Sequence, residues 1–102
     1  MSRTADSITI VCYDITSDRL RRKIDKCMKD FGTRLQFSVF MCKLDADGVE
    51  RCRINLQKVL DRFADEKTSD DSLVIFEGLK QRSIDCLLGE KLVAASQKFV
   101  IY

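Results

Sequence analysis

The fold is decided by residues 8–13, ITIVCY, a stretch that ends at the carboxylate Asp14. Its residues are β-branched or apolar at nearly every position. That pattern is typical of a strand that is covered on at least one face and central in its sheet. The sequence therefore predicts a buried first strand that carries an acidic group at its carboxyl end.

Two amphipathic helices are predicted further along the chain. Ser17 is a candidate N-cap of the first, and Gly32 is expected to supply the left-handed residue after it. Asp47 with Glu50 three residues later suggests a capping box for the second. Each helix has a single core-facing stripe with the same helical spacing: Leu20, Ile24, Cys27, Met28 and Phe31 in the first, and Cys52, Leu56, Val59, Leu60 and Phe63 in the second.

The remaining apolar stretches read as strands. Residues 34–44 exceed the usual strand length, so they are predicted to divide near Ser38 into two strands. Residues 72–77 form another strand, and residues 99–102 form a short terminal one. The order predicts an α+β, ferredoxin-like βαββαβ sandwich with an extra C-terminal strand. The core occupies residues 1–79, and residues 80–102 form a C-terminal extension.

This architecture predicts a homodimer. Two helices on one face of the sheet leave the opposite face bare, and a second copy of the chain is an economical cover for it. The surplus terminal strand has no obvious place in its own sheet and is expected to pair with an edge of the partner subunit.

Composition excludes several functions. The chain has 102 residues, a net charge of +2 and no histidine, so imidazole bases and histidine-ligated metals are excluded. The five cysteines form no CxxC pair, and we interpret them as structural thiols. No signal peptide or membrane span is expected, so the predicted location is cytoplasmic, with no membrane partner.

Asp14 is the first candidate site residue, and two interpretations of it stay open. It either caps the turn that follows or serves a functional site at the end of the strand. In a dimer, a twofold axis beside Asp14 brings two carboxylates together. Two carboxylates with water suit Mg²⁺, which supports phosphodiester hydrolysis without histidine.

The second candidate feature is a concentration of positive charge. Residues 19–34 contain seven Lys or Arg and two acidic residues, although the whole chain is only at +2. A basic helix of this kind is either a solvated surface or a binding site for a phosphate backbone. We interpret Phe37, Phe40 and Phe76 as core residues. The candidate nucleic-acid-binding residues are Arg19, Arg21, Arg22, Lys26 and, after the last core strand, Arg82.

Three segments together resemble the CRISPR-associated protein 2 family: residues 13–15 (YDI), residues 21–24 (RRKI) and residues 31–40 (FGTRLQFSVF). The resemblance covers about residues 8–79, and residues 99–102 are similar to the family's terminal strand. Met41 departs from the family pattern, which often has an acid there. Residues 80–97 match nothing in that pattern.

The resemblance implies a ferredoxin-like homodimer whose terminal strands cross to the partner. It implies a catalytic Mg²⁺ site at Asp14, shared with Asp14 of the partner subunit. It implies metal-dependent endonuclease activity on RNA or DNA, and a role as a bridge for the CRISPR integrase in spacer acquisition, for which nuclease activity is optional. Arg21, Arg22 and Arg82 match positions associated with contacts to the DNA backbone.

Two other functions stay open from the residues. A free-standing, metal-dependent ribonuclease of the toxin type has the same fold. A ferredoxin-like interaction module, with charges that serve solubility alone, predicts no salt-sensitive binding to nucleic acid.

Overall fold

The apolar first strand lies inside a four-stranded antiparallel sheet in the computed structural model, which describes residues 7–85. The spatial order of the strands is β2-β3-β1-β4. The predicted βαββαβ order is confirmed. The terminal strand at residues 99–102 lies outside the described residues. The bounds are β1 Ser7–Asp14, α1 Asp18–Met28, β2 Gly32–Gln36, β3 Val39–Cys42, α2 Ala46–Arg62 and β4 Ser72–Lys80.

Both helices pack on one face of the sheet. The alternation of side chains along β1 sends Val11 and Tyr13 toward the helices, where they join the predicted helical stripes. The stripe prediction is confirmed for both helices. The buried members of this core are Val11, Tyr13, Ile15, Leu20, Ile24, Met28, Phe40, Cys42, Cys52 and Leu56.

Among residues 7–85, the opposite face of the sheet is covered at one end only. Ile8 and Met41 are fully buried there, with Leu79 and Ile84 packed against them. Toward Asp14 the same face opens to solvent: Val74 is 44% exposed and Phe76 is 50% exposed. The sheet therefore presents an apolar surface beside the carboxyl end of β1.

Two predictions of helix ends are wrong. α1 ends at Met28 with Lys29 as its right-handed C-cap, and Gly32 instead opens β2. A Cβ at Gly32 would clash with the Met41 carbonyl oxygen, so close packing against β3 requires the glycine there. α2 is capped by Asp45, and not by Asp47: the Asp45 carboxylate accepts a hydrogen bond from the Gly48 amide at 2.7 Å.

The predicted division of residues 34–44 is confirmed. Ser38 has a φ of 66° and lies in the turn between β2 and β3. Its carbonyl oxygen accepts a hydrogen bond from the Tyr13 amide at 3.1 Å, which ties the turn to the end of β1. Ser38 thereby connects the hairpin to the strand that carries Asp14.

The prediction that three phenylalanines are core residues holds for one of them. Phe40 is buried, whereas Phe37 is 70% exposed and Phe76 is 50% exposed. Phe76 lies on the helix-free face, where a strand residue is buried only if something else covers it. No helix among the described residues has the length and apolar character needed to cross a membrane.

Candidate functional site

Asp14 lies at the open end of the helix-free face. It shares that face with Ile10 and Cys12, because alternate residues of a strand point the same way. In the register with β4, Asp14 pairs with Ser72 and Cys12 with Val74. The Asp14 side chain is exposed and makes no hydrogen bond or ion pair with any other residue of the range 7–85. Asp14 is therefore an available carboxylate at the rim of an apolar surface.

The residue before it, Tyr13, is held rigidly on the helix side. The Tyr13 hydroxyl donates a hydrogen bond to Asp25 of α1, and Arg34 of β2 forms an ion pair with the other Asp25 oxygen at 3.0 Å. The Tyr13 ring stacks on Phe40 with centroids 6.4 Å apart. This network ties α1 and β2 to the end of β1 and so fixes the backbone from which Asp14 projects.

The network also perturbs Tyr13 itself. Burial, and then the hydrogen bond to the Asp25 carboxylate, raise the pKa of Tyr13 above its ordinary value of 10.0. The folded protein thus retains a phenol proton that the unfolded chain releases near pH 10. Stability from this group is complete below about pH 10 and is lost as the pH rises beyond it.

Tyr13→Phe is expected to lower the free energy of unfolding by about 1–2 kcal/mol at neutral pH, because Asp25 loses a donor. The difference in unfolding free energy between the parent and this variant should narrow as the pH rises above about 10, since the variant lacks the titrating phenol. Denaturant unfolding across that pH range measures the difference. A difference that stays constant or widens as the pH rises would contradict the raised pKa of Tyr13.

The loop between β1 and α1 is anchored from two sides. Asp71 accepts hydrogen bonds from the Thr16 amide at 2.8 Å and from the Thr68 amide at 2.9 Å, and these bonds lower the pKa of Asp71. Arg21 donates to the Ile15 carbonyl oxygen at 3.1 Å and pairs with Asp18. Asp71 is therefore engaged in structure, whereas the nearby Asp14 is available.

The predicted nucleic-acid-binding residues fall into three groups. Arg19 and Arg21 have protein partners, since Arg19 lies 3.5 Å from the Glu66 carboxylate and Arg21 is bound as described above. Arg22 and Lys26 are exposed on α1, with no ion pair to any acid in the described part of the chain. Arg82 lies in a short 3-10 turn beyond the far end of β4, so the structure does not bring it to Asp14.

The described residues of one chain offer no cluster of side chains that could hold a metal ion on its own. Within residues 7–85, no three histidine, cysteine, aspartate or glutamate side chains are close enough together to bind a metal. Asp14 fits Mg²⁺ as one oxygen ligand, because Mg²⁺ usually keeps several waters and needs only one or two carboxylates. Within residues 7–85, Asp14 would therefore supply a single carboxylate, with water in the remaining positions around the ion.

The four described cysteines are unsuited to nucleophilic catalysis. Cys12, Cys27, Cys42 and Cys52 are all free thiols. Burial raises the pKa of Cys42 to about 12 and that of Cys52 to about 11, so both stay protonated at neutral pH. The interpretation of these cysteines as structural residues fits their positions; Cys86 lies outside the described residues.

Sequence reasoning missed Asp25 and Asp71. Asp25 is an acidic residue within a strongly basic stretch of sequence. That contrast is the signal that could have marked it as the partner of another side chain. Asp71 sits in an acidic loop with no pattern that distinguishes it from Asp70. Its role depends on a contact across 55 residues of sequence, between the loop that follows β1 and the loop that precedes β4.

Comparison with known proteins identifies the relatives of this chain. The family model for CRISPR associated protein Cas2 matches residues 7–84. A Chloroflexus aurantiacus protein named CRISPR-associated endoribonuclease Cas2 3 is 38% identical over 53 residues, which are 52% of this chain and 57% of that protein. The matches to the first three curated relatives span only 25% to 59% of their length.

Solved structures show the same fold. The crystal structure of a hypothetical protein from Thermus thermophilus has a TM-score of 0.66 and 31% sequence identity, and covers 82% of this chain and 93% of its own. The crystal structure of Streptococcus pyogenes Cas2 has a TM-score of 0.59 at 24% identity, with 78% and 98% covered. The second likeness supports the fold alone.

Proposed function

This chain belongs to the Cas2 family of CRISPR-associated proteins, and from that premise we propose that it is a homodimeric CRISPR adaptation protein. In this proposal it binds the backbone of DNA or RNA and cleaves phosphodiester bonds with the help of Mg²⁺. It also bridges the CRISPR integrase during spacer acquisition, in the cytoplasm. The observation that carries the proposal is the position of Asp14, unpartnered within residues 7–85, at the rim of an exposed apolar sheet face.

The apolar face supports the dimer. Val74 and Phe76 lie beside Cys12 and Ile10 in the register of β4 with β1, so the exposed side chains form one continuous patch. Large apolar side chains in one patch are typical of an interaction surface. A second copy placed on this face about a twofold axis covers both patches at once, because a twofold interface uses the same surface on each subunit.

The dimer would complete the metal site. Asp14 adjoins the patch, so a twofold axis near the end of β1 places the two Asp14 carboxylates on opposite sides of one small space. Mg²⁺ held there would stabilise the charge that develops on a scissile phosphate. The chain's own contribution is to hold Asp14 in place through the hydrogen bonds and the ion pair of its neighbour Tyr13 with Asp25 and Arg34.

The cations of α1 support the binding of a phosphate backbone. Arg22 and Lys26 are exposed and carry no ion pair with any acid in the range 7–85, so their charge is available to a polyanion. Arg19 and Arg21 lie closer to Asp14 along the chain, but they form ion pairs with Glu66 and Asp18, respectively. We assign Arg82 to a separate contact with the nucleic acid. It lies beyond the end of β4 that is opposite Ser72, and Ser72 is the strand partner of Asp14.

The experiment that tests this proposal compares labelled RNA and DNA incubated with the purified protein in Mg²⁺ and in EDTA. Cleavage is expected in Mg²⁺, and chelation should abolish it while leaving salt-dependent binding in place. Spacer acquisition in cells that carry the integrase and a repeat array tests the bridging role separately. Cleavage that persists in EDTA, or no binding at low salt, would contradict the proposal.

A further inference from the structure

A groove runs between α1 and α2 on the face of the protein opposite the exposed apolar patch. Its volume is about 350 Å³. Cys27 of α1 and Val59 of α2 lie partly buried among its lining residues, and Phe63 lies at the end of α2. A groove of this volume is within the range of ligand-binding sites in proteins.

The lining of the groove is strongly positive. Lys23 and Lys26 contribute from α1, and Lys58 and Arg62 contribute from α2. All four side chains are exposed, and no acid within the described residues forms an ion pair with any of them. Asp30 is the one carboxylate among the lining residues. A net positive groove therefore lies within a chain whose total charge is only +2.

The arrangement of these cations suits a chain of anions better than one compact anion. Lys23 and Lys26 are three residues apart on α1, and Lys58 and Arg62 are four apart on α2, so each helix presents cations about one turn apart. A groove of about 350 Å³ can hold a short stretch of one backbone, whereas a duplex could only lie across its rim.

The described lining of the groove offers no open aromatic ring on which a base could stack. The Phe63 ring is covered by Arg19 at 5.2 Å and by Lys23 at 5.7 Å, so cations already occupy that aromatic surface. Base recognition in single strands depends largely on stacking against open aromatic rings. The chemistry of the lining therefore favours contact with phosphates over contact with bases.

We propose that the groove between α1 and α2 binds the phosphodiester backbone of a single nucleic-acid strand without reading its sequence. Lys58 and Arg62 are the residues that distinguish this site from the basic surface of α1. The inference rests on the proposed binding of nucleic acid, but it does not depend on Asp14, on Mg²⁺ or on cleavage.

The test measures the affinity for a labelled single-stranded oligonucleotide in EDTA, as a function of salt. Lys58→Gln combined with Arg62→Gln is expected to weaken binding about ten-fold at low salt. The same double variant should reduce the slope of log K against log salt by about 1.4, since each lost contact to a single strand removes about 0.7. Lys58→Arg combined with Arg62→Lys keeps both charges and should bind like the parent.

A charge-matched control separates the groove from net charge. Lys67→Gln with Ser69→Glu changes the charge by the same amount in the exposed loop before β4 and should bind within about two-fold of the parent. An abasic oligonucleotide should bind the parent as well as a normal one does. The site would be overturned if the groove variant and this control lost equal amounts of affinity. It would also be overturned if polyglutamate displaced the bound strand as readily as the abasic oligonucleotide does.

The outcomes also separate this inference from the proposed function. If the parent shows no salt-dependent binding at all, the proposed nucleic-acid binding and the groove both fail. If the parent binds and the groove variant binds equally well, the groove alone fails. A parent that binds but does not cleave contradicts the proposed nuclease activity and leaves the groove result intact.

Discussion

Asp14→Asn is expected to lower Mg²⁺-dependent cleavage by about 100-fold or more, because an amide is a poor ligand for Mg²⁺ and the substitution changes both halves of the proposed shared site. Folding should be unaffected, since the Asp14 side chain is exposed and makes no hydrogen bond or ion pair with another residue between 7 and 85. Binding of nucleic acid should also be retained. Initial rates of cleavage at saturating substrate measure the effect.

Asp70→Asn is the matched control for this variant. Asp70 is an exposed carboxylate in the loop before β4, and its backbone amide, but not its side chain, bonds Thr68. Its neutralisation changes the net charge equally and should leave cleavage within about two-fold of the parent. If Asp14→Asn cleaves at the parental rate, Asp14 is not the catalytic ligand. If spacer acquisition survives Asp14→Asn while cleavage disappears, the bridging role does not need the nuclease.

Phe76→Glu is expected to weaken the dimer by about 100-fold or more. The substitution places a carboxylate in the middle of the apolar patch, and twofold symmetry puts a second one on the facing subunit. The isolated subunit should tolerate the change, because the Phe76 side chain is already 50% exposed. Sedimentation velocity over a range of concentrations measures the dissociation constant, and circular dichroism reports on folding.

Ile54→Glu is the matched control for the patch. Ile54 is an apolar residue of similar exposure, 46%, but it lies on α2 and not on the helix-free face of the sheet. This variant should dimerise like the parent. Because the proposed metal site uses Asp14 of both subunits, Phe76→Glu should also lose cleavage, whereas Ile54→Glu should keep it. A folded Phe76→Glu variant that remains dimeric would contradict the assignment of this face.

The parts of the fold that depend on periodic burial were predictable from the sequence. The apolar run of β1 and the repeated spacing of Leu20 with Ile24 and of Cys52 with Leu56 report directly on which residues face the core. The division at Ser38 was predictable from strand length. Element ends were less predictable, since Asp45 and Asp47 are equally good N-cap residues and only the backbone geometry distinguishes them.

The candidate site was predictable in part. An acid at the end of an apolar run singled out Asp14, and the charge bias singled out α1. The network of Tyr13, Asp25 and Arg34 was not predictable, because it joins residues from three elements. The same is true of Lys58 and Arg62, whose part in a basic groove depends on how α2 packs against α1. The prediction that Phe76 is a core residue is wrong, because the sequence pattern of a strand does not show which of its two faces the helices cover.

The central claim is that two Asp14 carboxylates meet across a twofold axis and share one divalent ion. A crystal structure of the protein grown with Mn²⁺, with anomalous diffraction recorded at the manganese edge, tests this most directly. The account predicts one strong anomalous peak on the axis, about 2.0–2.3 Å from an Asp14 oxygen of each subunit. Subunits that do not pair through the face of Val74 and Phe76, or Asp14 side chains that point away from each other with no metal between them, would contradict it.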